Sequence, residues 1–478
     1  MAKRKRNSNS GSAAAVTDIP SKKVKSTSPS TPKYPVTVQI VAGSYDRVLH
    51  GVTAIILPKN EVQFADTFLF DAHASAIRCL ALSPPSAPVP RQTQKIILAT
   101  GSTDERINLY HLSAHAPSKV SVPIIPSLTS KAVVENPQNR ELGSLLHHSS
   151  SITALYFPNR GKLLSSAEDS TIAVTRTRDW SLLSTIKAPI PKPIGRPSGD
   201  TAPLGGAPSG VNGFAVHPSM KLMISVGKGE KCMRLWNLVT GKKAGVLNFE
   251  RGILAEVGEG KHSSGEGRKV AWGATDVGEE FCVGFERGVL VFGMDSKPKC
   301  KVVPEPRTKI HELCYVQTGE EEDVQLMALS TEDGRILFYS TRPADLITAP
   351  SLEGKEAPVP SAKLVSQLGG KEVKLPRRIK DFSILNVGEG TTKDFIIVAA
   401  GSDGALRLWK LATKDLTSYK EKTKQVGQLL GTYETGNRIT CLKAFVMLPK
   451  MEGADDDIED FEGFGEDGDE EDSDSDSD

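Results

Sequence analysis

Seven times along the chain an acidic residue is followed, six positions later, by an aromatic residue or a stand-in for one. The pairs are Asp46/Val52, Asp104/Tyr110, Asp169/Thr175, Glu230/Trp236, Glu286/Phe292, Asp333/Tyr339 and Asp403/Trp409. Successive acids lie 47 to 70 residues apart, a period that signals a repeated supersecondary unit. Two copies are sharp, "GEKCMRLWN" and "GSDGALRLWK"; others, such as "GSTDERINLYH", "AEDSTIAVTR" and "STEDGRILFYS", are blurred versions. Each reads as a strand, a tight acidic turn and a second strand ending in the aromatic. Gly, Ser and acidic residues suit such a turn because they tolerate positive φ or bond their own backbone. The strand that follows alternates, so Leu406 and Leu408, like Ile107 and Leu109, share one sheet face.

Seven such hairpins predict an all-β chain: a seven-bladed WD-type β-propeller. The acid accepts hydrogen bonds from turn amides and the aromatic fills the space between neighbouring blades. On that reading the seven acids, and the aromatics Tyr110, Trp236, Phe292, Tyr339 and Trp409, hold blades together and are not catalytic. A further strand precedes the later hairpins, as in "SAIRCLALS", "SITALYF", "GVNGFAVHP", "RKVAWGA", "KIHELCYV" and "RRIKDFSIL". The first hairpin, "TVQIVAGSYDRVLHGV", lacks one, whereas "NRITCLKAFVM" stands unclaimed at the far end. The C-terminal strand is therefore expected to complete the first blade and close the ring, removing open sheet edges. The expected organisation is a disordered basic tail over 1–34, the propeller over 35–450 and a disordered acidic tail over 451–478.

The chain has 478 residues, 38% of them hydrophobic, enough for buried sheets. No apolar run approaches the ~20 residues that span a bilayer, so no membrane partner is expected. Cys79, Cys232, Cys282, Cys300, Cys314 and Cys441 are scattered without CxxC or Cys/His metal spacing. They read as reduced core thiols, and neither metal nor cofactor is expected. His148 stands four residues before Ile152, as His73 stands four before Ile77. Both His147 and His148 accordingly read as turn histidines bonded within their blades.

A formal charge of +1 conceals strong asymmetry. Residues 1–33 carry +7 and residues 454–478 carry −15, leaving a mildly basic body. The basic clusters Lys3, Arg4, Lys5, Arg6 and Lys22, Lys23, Lys25 fit a two-part nuclear import signal read by an import carrier. The same arm can contact RNA phosphates. The acidic tail contains Phe461 and Phe464, and Ser473 and Ser475 each have an acid three places on, the context acid-directed kinases prefer. Phosphate there would add negative charge. Longer insertions lie at 83–94, 113–140, 188–210, 256–268 and 342–362; low aliphatic content favours disorder in 188–210. The run 413–426 reads as a short helix or a lysine-rich loop. "GEGKHSSGEG" lacks the order of a phosphate-binding loop and reads as a flexible loop.

The combination of "ELGSLLHHSSSITALYF" with "VNGFAVHPSMKLMISVGK" and "MRLWNLVTGKKAG" resembles the WD40 family that contains the fungal "maintenance of killer" ribosome-assembly protein and its animal PAK-kinase-interacting counterpart. The resemblance runs through most of residues 36–447. It implies a nuclear and nucleolar scaffold acting in maturation of the large (60S) ribosomal subunit and in rRNA processing. The implied partners are pre-ribosomal large-subunit proteins, with pre-rRNA met indirectly or through the basic arm, the chain being a monomer within a larger particle. A negative regulator of a PAK-type kinase is the alternative. A ubiquitin-ligase receptor is disfavoured, because "WNLV" and "WKLA" lack the Trp-Asp-x-Arg ending such receptors often carry. No phosphate-cradling loop, nucleophile elbow or metal-ligand set supports an enzyme.

Overall fold

Each acidic turn reverses a hairpin, and each hairpin lies in the middle of its own antiparallel sheet. The computed structural model describes residues 35–449, apart from 90–91, 117–124, 127–131, 191–208, 261–262, 319–324, 349–357, 374–376, 388–393 and 418–423. Both charged tails, with the import cluster, Phe461, Phe464, Ser473 and Ser475, lie outside the described residues. So does nearly all of the 188–210 insertion.

There are seven sheets, hence seven blades. Blade 2 shows the plan: Ile77–Leu82 nearest the axis, then Lys95–Ser102, Ile107–Ser113 and, outermost, Arg140–Leu145. Blades 3 (152–187), 4 (211–248), 5 (269–302), 6 (310–369) and 7 (379–434) repeat it. Blade 1 is the exception. Val36–Ser44, Val48–Ile56 and Val62–Asp71 supply three strands, and its innermost strand is Ile439–Val446 from the other end of the chain. The ladder pairs Val38 with Val446 and continues to Ser44 opposite Ile439. The ring therefore closes within one blade, through strands of opposite chain ends.

There is no single central core. Apolar residues form seven clusters, each between two adjacent blades. Alternation explains this: Leu406 and Leu408 of one strand pack against blade 1, whereas Trp409 packs against blade 6. Every blade is thus buried on both faces.

Two insertions contribute short elements among the described residues. Residues 132–133 and 125–126 add a short edge to blade 1, and Lys424–Gln425 pairs with the outer strand of blade 6. The run 413–426 begins as a helix, Thr413–Thr417. The glycine-rich stretch read as flexible departs from that expectation in its described residues. The helix Arg251–Glu256 leads into it, and Leu254 and Val257 are buried between blades 4 and 5. Glu259 accepts the Glu286 amide at 3.1 Å and Glu266 accepts the Gly229 amide at 2.7 Å. Carboxylates on the loop, invisible to a glycine count, anchor it.

Candidate functional site

The acidic turns all lie on one face of the ring, and their partners differ between blades. In blade 2, Asp104 accepts hydrogen bonds from Ala74 N at 2.9 Å and Arg106 N at 3.0 Å, and pairs with His73 Nδ1 at 3.0 Å. The other ring nitrogen of His73 meets Thr100 Oγ1 at 2.7 Å. Blade 3 repeats the relay: Asp169 to His148 Nδ1 at 3.1 Å, and His148 Nε2 to Ser165 Oγ at 2.8 Å. Each imidazole thereby ties the loop entering its blade to the turn and to the second strand. His147 does not behave this way. Its Nε2 is buried without a hydrogen-bond partner, which corrects the expectation that both histidines bond within their blades. Only one of two adjacent rings can reach Asp169.

Blades 4, 6 and 7 have no such histidine, and an arginine of the same hairpin replaces it. Arg234 grips Glu230 with both terminal guanidinium nitrogens, Arg407 Nη2 meets Asp403 at 2.8 Å, and Arg335 Nε meets Asp333 at 2.9 Å. These arginines escaped the sequence reading, although "RLW" stands in both sharp repeats four residues after the acid. Glu286 in blade 5 pairs with Lys309 at 3.3 Å and Arg268 at 3.4 Å. Asp46 accepts the Arg438 amide at 3.2 Å, joining the first turn to the closing strand.

The aromatics Tyr110, Trp236, Phe292, Tyr339 and Trp409 each lie in the cluster shared with the preceding blade. Trp236 Nε1 also donates to Ser225 Oγ at 2.8 Å. Where blade 3 has Thr175, its hydroxyl is buried without a partner, and Trp180, five residues on, packs against the blade 2–3 cluster. The aromatic lost from the strand is supplied by the following turn.

Burial alone would push the Asp169 carboxyl up, but hydrogen bonds from His148, Thr171 and Ser149 outweigh it and hold the group at about 2, against an ordinary 3.8. A carboxyl depressed in the folded state stabilises above its unfolded pKa and loses that contribution as pH falls through the folded one. The window here is pH 4 to 2, and the contribution is on the order of 2 kcal/mol. Denaturant unfolding of Asp169→Asn should show a deficit of that order at pH 7 that is largely lost by pH 2 and gone only below the folded pKa. A deficit that stays constant over this range would place the effect elsewhere.

Under the turns, the channel lining is charged. Lys269 Nζ meets Glu312 at 2.5 Å, and Asp381, 6% exposed, accepts the Leu442 amide of the closing strand at 2.8 Å. Burial raises the Asp381 carboxyl, opposed by the neighbouring Lys443 ammonium. Between blades 5 and 6, fully buried Glu280 receives Lys299 Nζ at 2.6 Å, Tyr315 Oη at 2.9 Å and Thr341 Oγ1 at 2.6 Å. The Cys282 and Cys441 thiols are buried and pushed far up by desolvation. Among the described residues no three His, Cys, Asp or Glu side chains are placed to hold a metal ion. What the rim offers is grooves: a cavity of about 310 Å³ between blades 1 and 2, beside Phe68, Phe70 and Tyr110, and one of about 420 Å³ between blades 3 and 4, beside Leu183, Met220 and Val239. Such geometry suits the docking of polypeptide segments.

A family model described as "WD domain, G-beta repeat" matches residues 139–174, the outer strand of blade 2 and most of blade 3. Similarity to whole proteins is broader. The chain is 25% identical to a p21-activated protein kinase-interacting protein 1-like of Xenopus laevis, over 86% of this chain and 82% of that protein. It is 26% identical to Protein MAK11 of Saccharomyces cerevisiae, over 84% and 82% respectively. The Shk1 kinase-binding protein 15 of Schizosaccharomyces pombe is 25% identical over 64% of this chain and 69% of its own. With the repeat, the seven blades and these matches together, the chain is a WD40-repeat β-propeller, similar along most of its length to the p21-activated kinase-interacting proteins and to Protein MAK11.

Proposed function

We propose that this propeller is a non-catalytic scaffold of the nucleus and nucleolus that acts in maturation of the large ribosomal subunit. The observation that carries the reading is the family resemblance of the "SITAL" and "VHPSMKL" segments, which the similarity to Protein MAK11 extends along 84% of the chain. The fold supports it physically. A ring locked by seven interblade clusters presents its loops and rim grooves at fixed geometry, so shape discrimination belongs to the propeller. A polyanionic tail contributes long-range attraction, with fast association and strong salt sensitivity. The basic arm supplies the route through an import carrier.

A second reading has its own support, since the names of two of the relatives describe kinase binding. Here the propeller would cover a regulatory segment of a p21-activated-type kinase. Affinity purification of the tagged chain, with mass spectrometry and northern analysis of co-purifying RNA, separates the two. Large-subunit precursors should be enriched, and depletion should lower mature large-subunit rRNA while sparing the small subunit. Recovery of a kinase without precursors, or an unchanged subunit ratio on depletion, would defeat the assembly reading.

A further inference from the structure

The innermost strands of four neighbouring blades open with one pattern. Blade 6 begins Lys309-Ile310-His311, blade 7 Arg378-Ile379-Lys380, blade 1 Arg438-Ile439-Thr440 and blade 2 Ala76-Ile77-Arg78. The four isoleucines are structurally equivalent: each is buried, and each pairs with its neighbouring strand just where the register shifts. Residues on either side of them therefore line up around the mouth of the channel, on the face of the acidic turns. Six positions of this arc are Lys, Arg or His. The corresponding positions of blades 3 and 4 are Ser151, Thr153, Gly210 and Asn212.

Three of the cations are already matched. Lys309 pairs with Glu286 at 3.3 Å, Arg78 with Glu168 at 3.8 Å, and Arg378 with Glu332. Lys380 and Arg438 have no carboxylate within ion-pair reach among the described residues. Lys380 is half-buried and faces Arg378, Arg438 and Lys309, with Glu332 as the opposing charge; burial and these cations lower its ammonium. Beside it His311 is pushed down to about 3 by burial and by Lys380, Arg378, Lys309 and Lys269, and its Nε2 is buried without a partner. Holding unneutralised positive charge in a half-buried place costs stability, which is the mark of a surface shaped for something other than folding.

An aromatic platform adjoins the arc. Tyr45, at the first turn, is 59% exposed; its amide donates to Arg438 O at 2.8 Å, and the Arg438 guanidinium lies 5.5 Å from its ring centroid. Unpaired cations attract phosphate, and an exposed ring already in contact with an arginine suits a base that is free to stack. Bases of a duplex are stacked inside and cannot use such a ring.

We propose that the channel mouth over blades 6, 7, 1 and 2 binds single-stranded nucleic acid, with phosphate at Lys380 and Arg438 and a base against Tyr45. The inference is independent of the assembly reading and would stand if that reading failed.

The test uses the full chain with Lys3, Arg4, Lys5, Arg6, Lys22, Lys23 and Lys25 replaced by Gln, so that the basic arm does not contribute. Fluorescence anisotropy with labelled 12-nucleotide oligo-U and oligo-dT, a 12-base-pair RNA duplex and a polyglutamate peptide reads the choice of ligand. The single strands should bind more tightly than the duplex. Lys380→Ala with Arg438→Ala should weaken them at least tenfold and flatten the dependence of log affinity on log salt by about 1.4, or ~0.7 per lost phosphate contact. Tyr45→Ala should cost about tenfold with the salt slope unchanged. Lys380→Met should raise the melting temperature, because it removes a cation held among cations. Unaltered oligonucleotide affinity and slope in the double variant would overturn the proposal. So would preference for the duplex, or polyglutamate binding that alone is lost with Lys380 and Arg438. A lower melting temperature for Lys380→Met would mark that residue as structural and overturn its assignment.

Discussion

A chain ending at Gly436 should fail to give a cooperative unfolding transition and should aggregate, whereas one ending at Pro449 should melt like the full-length protein. The difference between the two is the closing strand. Its loss leaves Val38–Ser44 as an unpaired edge and removes Ile439, Cys441 and Leu442, all at least 96% buried. Burying one such side chain is worth about 1.5–3 kcal/mol, so three approach the whole stability of an ordinary domain. Polar ties go with them. Thr440 Oγ1 donates to Ile77 O at 2.6 Å, linking blade 1 to blade 2, and the Leu442 amide satisfies Asp381 of blade 7. Differential scanning calorimetry and light scattering on the two truncations decide the matter. Matching transitions would show that the remaining blades close without this strand. Leu442→Asp is a gentler version, and it should behave like the shorter truncation.

The second large effect is expected at Glu280. Its carboxylate is fully buried and serves Lys299, Tyr315 and Thr341 simultaneously. Glu280→Ala should cost about 3–5 kcal/mol, because it leaves a largely buried ammonium with only Thr275 Oγ1, at 3.0 Å, and takes the acceptor from two hydroxyls. Much of that loss is a penalty on the partners and not the intrinsic worth of the carboxylate. Adding Lys299→Met and Tyr315→Phe to the alanine variant should therefore recover a substantial part of it. Denaturant melts of the single and triple variants provide the measurement. If Glu280→Ala is as stable as the parent, or the triple variant is the weaker of the two, the network does not hold blades 5 and 6 together.

The blades were legible in the sequence because each combines a local turn with a local alternation, and both leave a pattern within ten residues. Closure was legible for a related reason: a hairpin without its inner strand at one end matched an inner strand without its hairpin at the other. The grip on the acids was harder to read. In blades 2 and 3 the partner imidazole comes from the loop before the blade, about twenty to thirty residues away, and the motif shows only the acid. In blades 4 and 7 the partner was inside the motif as Arg234 and Arg407, but strand alternation alone does not tell a guanidinium that folds back on its turn from one left in solvent. Trp180 could not be anticipated from the blank at Thr175, because the replacement comes from a different element. Glu280 pairs with groups 19 to 61 residues away, and a buried acid in a strand carries no sequence mark of its partners. The arc of Lys380 and Arg438 depends on register between strands that are far apart in the chain.

The closing strand also sets an order in time. Val36–Ser44 is made first and is buried from Val38 onward in the finished ring, yet its partner Ile439–Val446 follows roughly 400 residues later. At ~5–20 residues per second, the edge "VTVQIVAGS" waits on the order of 20–80 s for its neighbour to leave the ribosome. Throughout that interval the nascent chain carries a nearly uncharged, β-prone segment with open hydrogen-bonding groups. Until the partner arrives, that edge is a template on which another chain can pair. That exposure ends only when the closing strand, made after blade 7, has emerged.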